Sequence, residues 1–332
     1  MESLSVICSS SLDQLPAFGI NRVAVGCGVF DGLHLGHQEI IDTVLKTAQS
    51  SNAVPVVITF DPHPEIVLNP RCAPKLLLSK KHQLHLFQKF HIGAVVVLPF
   101  TKNLAVVPPE EFIKRIIFVE GLQVTTFCVG KAWRFGYRAG GDIDLLKKMG
   151  SLYNFGVHPV PEMLFKEAPI SSTRVRAALS KGDLKLVTNL LGRNFSILGT
   201  VEFGKGIATS DLKYPTANIS SNHEACPPFG VYAAKVHLFQ NKECTLTKDG
   251  ILYLGESPTF VDMPPEKPFI EIHIFDFHRD IYGQTIEVEV IEFLRGDQKF
   301  DAIESLRDQI AEDIFKVKKL LRAKKSSQTL YS

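Results

Sequence analysis

The chain has 332 residues, long enough for about two domains with sizeable cores. Its charged residues make up 22% and its hydrophobic ones 45%, and the formal net charge is only +2, which argues against a protein whose main task is to coat nucleic acid. No segment reaches the roughly 18 apolar residues of a membrane span, and the opening "MESLSVICSSSL" lacks the basic start of a signal peptide. The six cysteines form no CxxC pair, and Cys27 and Cys128 lie in apolar runs, as reduced cysteines of a cytoplasmic protein do. The expected partners are therefore small molecules, with no nucleic acid and no membrane; self-association stays open.

In chain order, "VAVGCGVF" reads as a buried strand and residues 37–49 as an amphipathic helix. "VPVVITF" (54–60) is a second buried strand and stops at the Pro-rich "DPHP". A helix near 79–91 follows, then a strand over 94–100, then a helix in "PPEEFIKRII" with Pro at its start. Strands at 124–130 and in "GVHPVP" flank a short helix over 142–149, and "SSTRVRAALSKGD" opens on capping residues and continues as a helix. Continuous apolar strands separated by helices predict a parallel sheet covered on both faces.

Beyond about residue 195 the rhythm changes to alternating segments at 197–203, 230–238, 269–277 and 285–293, divided by Pro, Gly, Asn and Asp. "FIEIHIF" and "TIEVEVIEF" are close to strict period two, so one face of each is wet and one buried. A mainly antiparallel, barrel-like domain is predicted, closed by a helix over roughly 300–321. The expected organisation is a first domain over 1–185, a connecting segment at 186–195 containing "LLGRN", a second domain over 196–321 and a flexible tail over 322–332. The basic run at 316–325 reads as a solvated helix face.

Two places carry candidate chemistry. In a parallel α/β sheet, ligands bind beyond the carboxyl ends of the strands, and a helix N-terminus there presents free N–H groups and partial positive charge. At such an end lie Gly28, Phe30, Asp31, Gly32, His34, Gly36 and His37. The glycines permit close backbone approach. His34 and His37, three residues apart, can donate to a phosphate whose charge grows in a transition state. They also fit two surface histidines at a helix cap, but they are not a metal site, having no third ligand nearby. In "ISSTRVRAAL", Ser171, Ser172 and Thr173 add hydroxyls to a second helix start, and Arg174 and Arg176 add fixed positive charge, a cradle suited to a polyphosphate. An ordinary N-cap with a solvated face is the alternative. Two phosphate sites on one sheet suggest nucleotidyl transfer, which needs positioning and charge neutralisation by His, Arg and Mg²⁺ rather than a covalent intermediate. The absence of GxxxxGK[ST] makes a P-loop enzyme an unsuitable reading.

The motifs Gly28-x-Phe30-Asp31-Gly32-x-His34-x-Gly36-His37, Thr59-Phe60-Asp61-Pro62-His63-Pro64 and Ile170-Ser171-Ser172-Thr173-x-x-Arg176 occur in that order. The second half carries Pro215-Thr216-Ala217-Asn218, Gly230-Val231-Tyr232, Gly255-x-x-Pro258-Thr259-Phe260, Glu271-x-His273-x-Phe275-Asp276, Tyr282-Gly283 and "LRGDQKFD". Together, over about 20 to 320, they resemble the bacterial bifunctional riboflavin kinase/FMN adenylyltransferase family. The resemblance implies a Rossmann-like α/β nucleotidyltransferase domain with a parallel sheet. It also implies a riboflavin-kinase-like antiparallel β-barrel with a C-terminal helix. The first would adenylylate FMN with MgATP to give FAD; the second would phosphorylate riboflavin to FMN.

The resemblance also implies roles. His34 and His37 would contact the ATP phosphates, and Ser171, Ser172, Thr173 and Arg176 would hold the outgoing phosphates. Pro62, His63, Pro64 and Phe135 would line the flavin. In the barrel, Gly204 would approach the nucleotide, Thr216 and Asn218 would organise Mg²⁺ and ATP, and Glu271 would be the base for the ribityl hydroxyl. Arg295 would bind flavin or nucleotide. A tight turn at Pro62–Pro64, a core role for Phe135 and simple strand alternation at Glu271 explain those residues equally well without the family.

The sequence departs from the family pattern in both halves. Ala132 and Trp133 stand in "GKAWRFG" where the family has Asp or Asn followed by Phe. "GKGIATSDLKYPTAN" keeps Gly204 and Gly206 but lacks a Gly-Arg pair, has Lys213 where a glycine is usual, and seats Tyr253 where an Asn precedes the Gly255 turn. Lys205 and Lys213 offer positive charge by another route. The rival readings are an FMN adenylyltransferase whose barrel only binds flavin, and a non-catalytic flavin-binding protein.

Overall fold

The computed structural model describes residues 7–202, 214–221, 225–240, 243–255, 269–298, 300 and 302–329. The glycine-loop residues Gly204, Lys205, Gly206 and Lys213, and the Pro258-Thr259-Phe260 motif, lie outside the described residues.

In the first half the elements run β1 (Ile7–Ser9), β2 (Arg22–Cys27), α1 (Leu35–Ser50), β3 (Val54–Asp61), α2 (Pro64–Leu68), α3 (Lys80–Lys89) and β4 (Ala94–Pro99). They continue as α4 (Lys102–Ala105), α5 (Pro109–Ile117), β5 (Gln123–Gly130), α6 (Ile143–Tyr153), β6 (Gly156–Val160), the hairpin β7 (Leu164–Phe165) and β8 (Ala168–Pro169), and α7 (Ser172–Ser180). The sheet order is β1-β4-β3-β2-β5-β6, with every neighbour parallel. Strand order therefore reverses at β2, which puts its carboxyl end at the switch point where a doubly wound sheet binds ligands.

The apolar strands pack as the sequence implies. Val23, Val25, Val56, Ile58 and Val96 are buried in one core with Phe112, Ile113 and Leu146 from the covering helices. Helix α1 buries Ile40, Ile41, Val44 and Ala48, the spacing of one helical face. Burial pushes the Cys27 thiol up to about 12 and the Cys128 thiol up to about 11, so both are unreactive core residues.

The second half runs α8 (Leu184–Leu191), β9 (Ser196–Glu202), β10 (Ala217–Ser220), β11 (Gly230–Gln240), β12 (Glu243–Gly255), β13 (Phe269–Ile274), β14 (Thr285–Arg295) and α9 (Ile303–Thr329). Its strands close into an antiparallel barrel in the order β10-β13-β12-β11-β14-β9. Alternation on β13 sends Ile270, Ile272 and Ile274 inward, while Glu271 and His273 are partly exposed. Val317 and Leu321 of α9 pack with Val231, Ala233 and Ile251.

The longest of these strands, β12, is absent from the sequence reading because Asp249-Gly250 looks like a turn. Gly250 is instead a strand residue paired with Ile274, and a Cβ there would sit 2.7 Å from the His273 carbonyl. Helix α9 is continuous through Thr329, so residues 322–329 extend the helix beyond the expected 321. Packing divides the chain into one unit up to Leu76 with Lys80–Arg174, and a second of Leu77–Ser79 with Val175–Ser332. That division falls before the expected connector at 186–195, where α8 forms and packs on β14.

Candidate active site

Between β2 and α1 the backbone turns through left-handed conformations at Phe30 (φ 56°), Gly32 (φ 83°) and Leu33 (φ 44°). Such angles are costly for residues with a Cβ and persist only where surroundings impose them. Phe30 and Leu33 are fully buried, and the Phe30 ring meets Phe87 edge-on at 5.5 Å and His37 at 5.3 Å.

The turn delivers His34 as the N-cap of α1. Its Nδ1 accepts from the His37 backbone N–H at 3.3 Å, so in the neutral ring the proton sits on Nε2, leaving that nitrogen as a donor. The two imidazoles stack with centroids 3.7 Å apart and 15° between planes. Gly36 leaves room for the His34 ring: a Cβ there would lie a tight 3.3 Å from His34 Cε1 and Nδ1.

The second cradle reaches the same place. Ser172 Oγ donates to the Asp31 carbonyl at 2.7 Å, across 141 residues of chain, and Ser171 Oγ accepts from the Arg174 N–H at 3.3 Å. Thr173 is exposed at the helix start, and Arg176 follows one turn into α7. At the end of β3, Thr59 Oγ1 donates to the Val29 carbonyl at 3.0 Å. Beyond it, His63 caps α2 by accepting from the Glu65 N–H at 3.1 Å, with Pro62 exposed beside it.

On the barrel, neighbouring strands place Asn218 opposite Glu271, Glu271 opposite Tyr253, Tyr253 opposite Val231 and Val231 opposite Arg295. Thr216 Oγ1 donates to Glu271 Oε1 at 2.5 Å. Burial raises the Glu271 carboxyl above its ordinary value, opposed by the Thr216 hydroxyl. A base with a raised pKa is suited to taking a proton from an alcohol. Asn218 Oδ1 is a buried acceptor with no hydrogen-bond partner among the described residues. Beside the Thr216 hydroxyl it would offer the hard oxygen donors that Mg²⁺ prefers.

Comparison with known proteins agrees with both halves. A family model described as FAD synthetase matches residues 20–174, and one described as riboflavin kinase matches residues 191–321. A bifunctional riboflavin kinase/FMN adenylyltransferase of Buchnera aphidicola subsp. Schizaphis graminum is 35% identical over 89% of this chain and 93% of that protein. The chain belongs to the bifunctional riboflavin kinase/FMN adenylyltransferase family.

Proteins of the same description from Bacillus subtilis and Escherichia coli K12 are 33% and 30% identical, over 88% and 91% of this chain and 90% and 93% of theirs. A crystal structure described as a macrolide-efflux protein from Streptococcus pneumoniae covers 95% of this chain and 99% of that one, at 26% identity and TM-score 0.74. Among the described residues of this family member, no helix is long and apolar enough to cross a membrane.

Three residues expected at the sites have other work in this riboflavin kinase/FMN adenylyltransferase. Phe135 is a core aromatic, buried among Phe112 and Ile143; the ring with exposed surface is Trp133, stacked on it at 4.5 Å. Arg174 spends its guanidinium on the Phe165, Ala168 and Pro169 carbonyls of the β7–β8 hairpin. Arg295 is paired through Nε and a terminal nitrogen with Asp313 Oδ2 on α9, each at 2.8 Å. Isolated arginines in a motif cannot reveal this, because carbonyls and carboxylates supplied by folding compete for them.

Sequence reasoning missed Lys80 and Gln83, which lie behind the histidine corner. The only signal is their i, i+3 spacing on the helix foreseen at 79–91.

Proposed function

We propose that this chain makes FAD from riboflavin in two steps, each consuming MgATP, in the cytoplasm, where its free cysteines stay reduced. The adenylyl-transfer module would occupy 1–185 and the kinase module 196–321. The barrel phosphorylates the terminal ribityl hydroxyl of riboflavin, giving FMN and ADP. The parallel-sheet module then joins the FMN phosphate oxygen to the α-phosphorus of ATP, and the α–β bridging bond breaks to release pyrophosphate.

One observation carries the adenylyl-transfer reading. The Ser172–Asp31 hydrogen bond links the start of α7 to the corner that opens α1, so two helix N-termini with their hydroxyl and imidazole donors belong to one site. His34 Nε2–H, and His37 stacked on it, would donate to the phosphate whose negative charge grows in the transition state. Ser171, Thr173 and Arg176 would hold the departing pyrophosphate, while Ser172, whose hydroxyl is given to the Asp31 carbonyl, would fix the helix start that faces it. Gly28, Gly32 and Gly36 let backbone approach the nucleotide, and Pro62, His63, Pro64 and Trp133 offer apolar and ring surface to the flavin.

In the kinase reading Glu271 takes the ribityl proton, and Thr216 holds its carboxylate in place. Thr216 and Asn218 would hold Mg²⁺, which when bound neutralises phosphate charge.

The test is product analysis of purified protein with MgATP and either riboflavin or FMN. FAD from FMN, and FMN with FAD from riboflavin, is the expected result. No product from either substrate overturns the reading; FAD from FMN alone would confine it to the adenylyltransferase.

A further inference from the structure

Helix α3 backs the histidine corner, and two of its polar side chains, Lys80 and Gln83, bond to the site's framework. Gln83 Nε2 donates to the Val29 carbonyl at 2.9 Å and to the Phe30 carbonyl at 3.2 Å. These are the peptide groups that lead into the left-handed turn at Phe30. A side-chain amide can face either way, and here Lys80 sets its direction: Lys80 Nζ donates to Gln83 Oε1 at 2.9 Å, which turns the NH₂ end toward the two carbonyls. The same ammonium donates to the Phe60 carbonyl at 3.0 Å, the residue before Asp61 and Pro62. One nitrogen thus ties the corner carrying His34 and His37 to the turn carrying Pro62 and His63.

Lys80 is partly buried, and its environment makes the ammonium dependent on this geometry. Burial lowers its pKa, opposed by Asp61 at the end of β3, Cys8 on β1 and Asp31 in the corner. A surface lysine serving solubility does not hold a backbone carbonyl and a buried side-chain amide oxygen on one nitrogen, as Lys80 does.

We propose that Lys80 is a positioning residue for adenylyl transfer. Through Gln83 and the Phe60 carbonyl it holds the phosphate-side corner and the flavin-side turn at a fixed separation. This rests on the adenylyl-transfer reading above. The reaction joins two bound substrates, so their relative placement enters the rate directly: a displacement of about 1 Å costs on the order of 100-fold. Each substrate's own contacts would survive loss of the tie. The predicted signature is therefore a fall in kcat with little change in either KM.

The experiment measures FAD formation from FMN and MgATP by full-length wild type, Lys80→Met, Lys80→Arg and Gln83→Leu, with riboflavin phosphorylation by the same preparations as the folding control. For Lys80→Met, kcat should fall about 100-fold and each KM should change less than about threefold. Kinase activity should be retained, and Lys80→Arg, which keeps a cationic donor, should recover much of the loss. An unchanged kcat, or a loss confined to the KM of one substrate, overturns the proposal. If Lys80→Met also loses the kinase, Gln83→Leu decides by the same split, because it cuts the link to the corner while leaving the Lys80–Phe60 bond. Wild-type protein that forms no FAD from FMN would instead refute the underlying activity, whatever the variants do.

Discussion

The His34 ring accepts a hydrogen bond from the backbone of His37 and stacks on the ring of His37 with centroids 3.7 Å apart. In the proposed adenylyl transfer the helix cap and the phosphate donor would be one group: the nitrogen that caps fixes which nitrogen keeps the proton. Replacement of His34 by Ala removes donor, cap and stack together. FAD formation should fall about 100- to 1,000-fold in kcat, read by steady-state kinetics, while riboflavin phosphorylation on the barrel persists.

With Glu271 as the proposed base, the kinase would carry a pH signature. Burial raises its pKa above the ordinary 4.5, and the base must be ionised to act, so the acid limb of riboflavin phosphorylation should lie above that value. The Thr216 hydroxyl favours the carboxylate, so Thr216→Val should move the limb to still higher pH. Glu271→Gln should lower kcat by about 100-fold or more. It should not destabilise the barrel at neutral pH, because a raised carboxyl pKa means the ionised form is disfavoured by folding. A limb that Thr216→Val leaves in place would contradict this assignment.

Arg295 and Asp313 fasten α9 to the barrel. Asp313 is 1% exposed, and Gln309 also donates to it at 3.0 Å, so its removal leaves the guanidinium without its buried partner. Breaking such a pair from one side costs about 3 kcal/mol or more. Asp313→Ala should lower the urea midpoint accordingly, and Asp313→Asn, which keeps a carbonyl acceptor, should lose less.

A second pair gives the barrel a pH optimum for stability. His237 Nε2 lies 2.7 Å from Glu289 Oε1, and Asn194 donates to the same carboxylate. The hydrogen bond to Glu289 raises the His237 pKa above 6.5. Glu289 is depressed below 4.5: burial, the largest influence, acts to raise it but is outweighed by the His237 and Asn194 hydrogen bonds. The histidine's contribution is complete below 6.5 and lost as pH rises through its folded pKa; the carboxylate's is complete above 4.5 and lost as pH falls through its own. His237→Gln should therefore cost most, about 1 kcal/mol, between those values, and the gap in urea midpoint should narrow on the alkaline side. A gap independent of pH would show packing, not charge, at that position.

Periodicity was enough to locate most strands and helices of both units, because each buries one continuous or alternating apolar face. Elements without such a face escaped it: β1 is three residues long at the sheet edge, and β12 carries an Asp-Gly pair that reads as a turn until two neighbouring strands claim it. The residues proposed for the phosphate site could be singled out because His34, Gly36, His37 and the Ser171–Thr173 run each lie close together at helix starts, which have local chemistry.

What the sequence by itself determined is the inventory: two α/β phosphate motifs, an alternating barrel and the families they resemble. Tertiary structure decided the assignment of charges. Arg174, Arg295 and Lys80 are all cations near a motif, yet one braces a hairpin, one pins α9 and one sits behind the histidine corner. A cation takes whichever buried oxygen folding brings within about 3 Å, and those oxygens come from distant segments that no local spacing can announce.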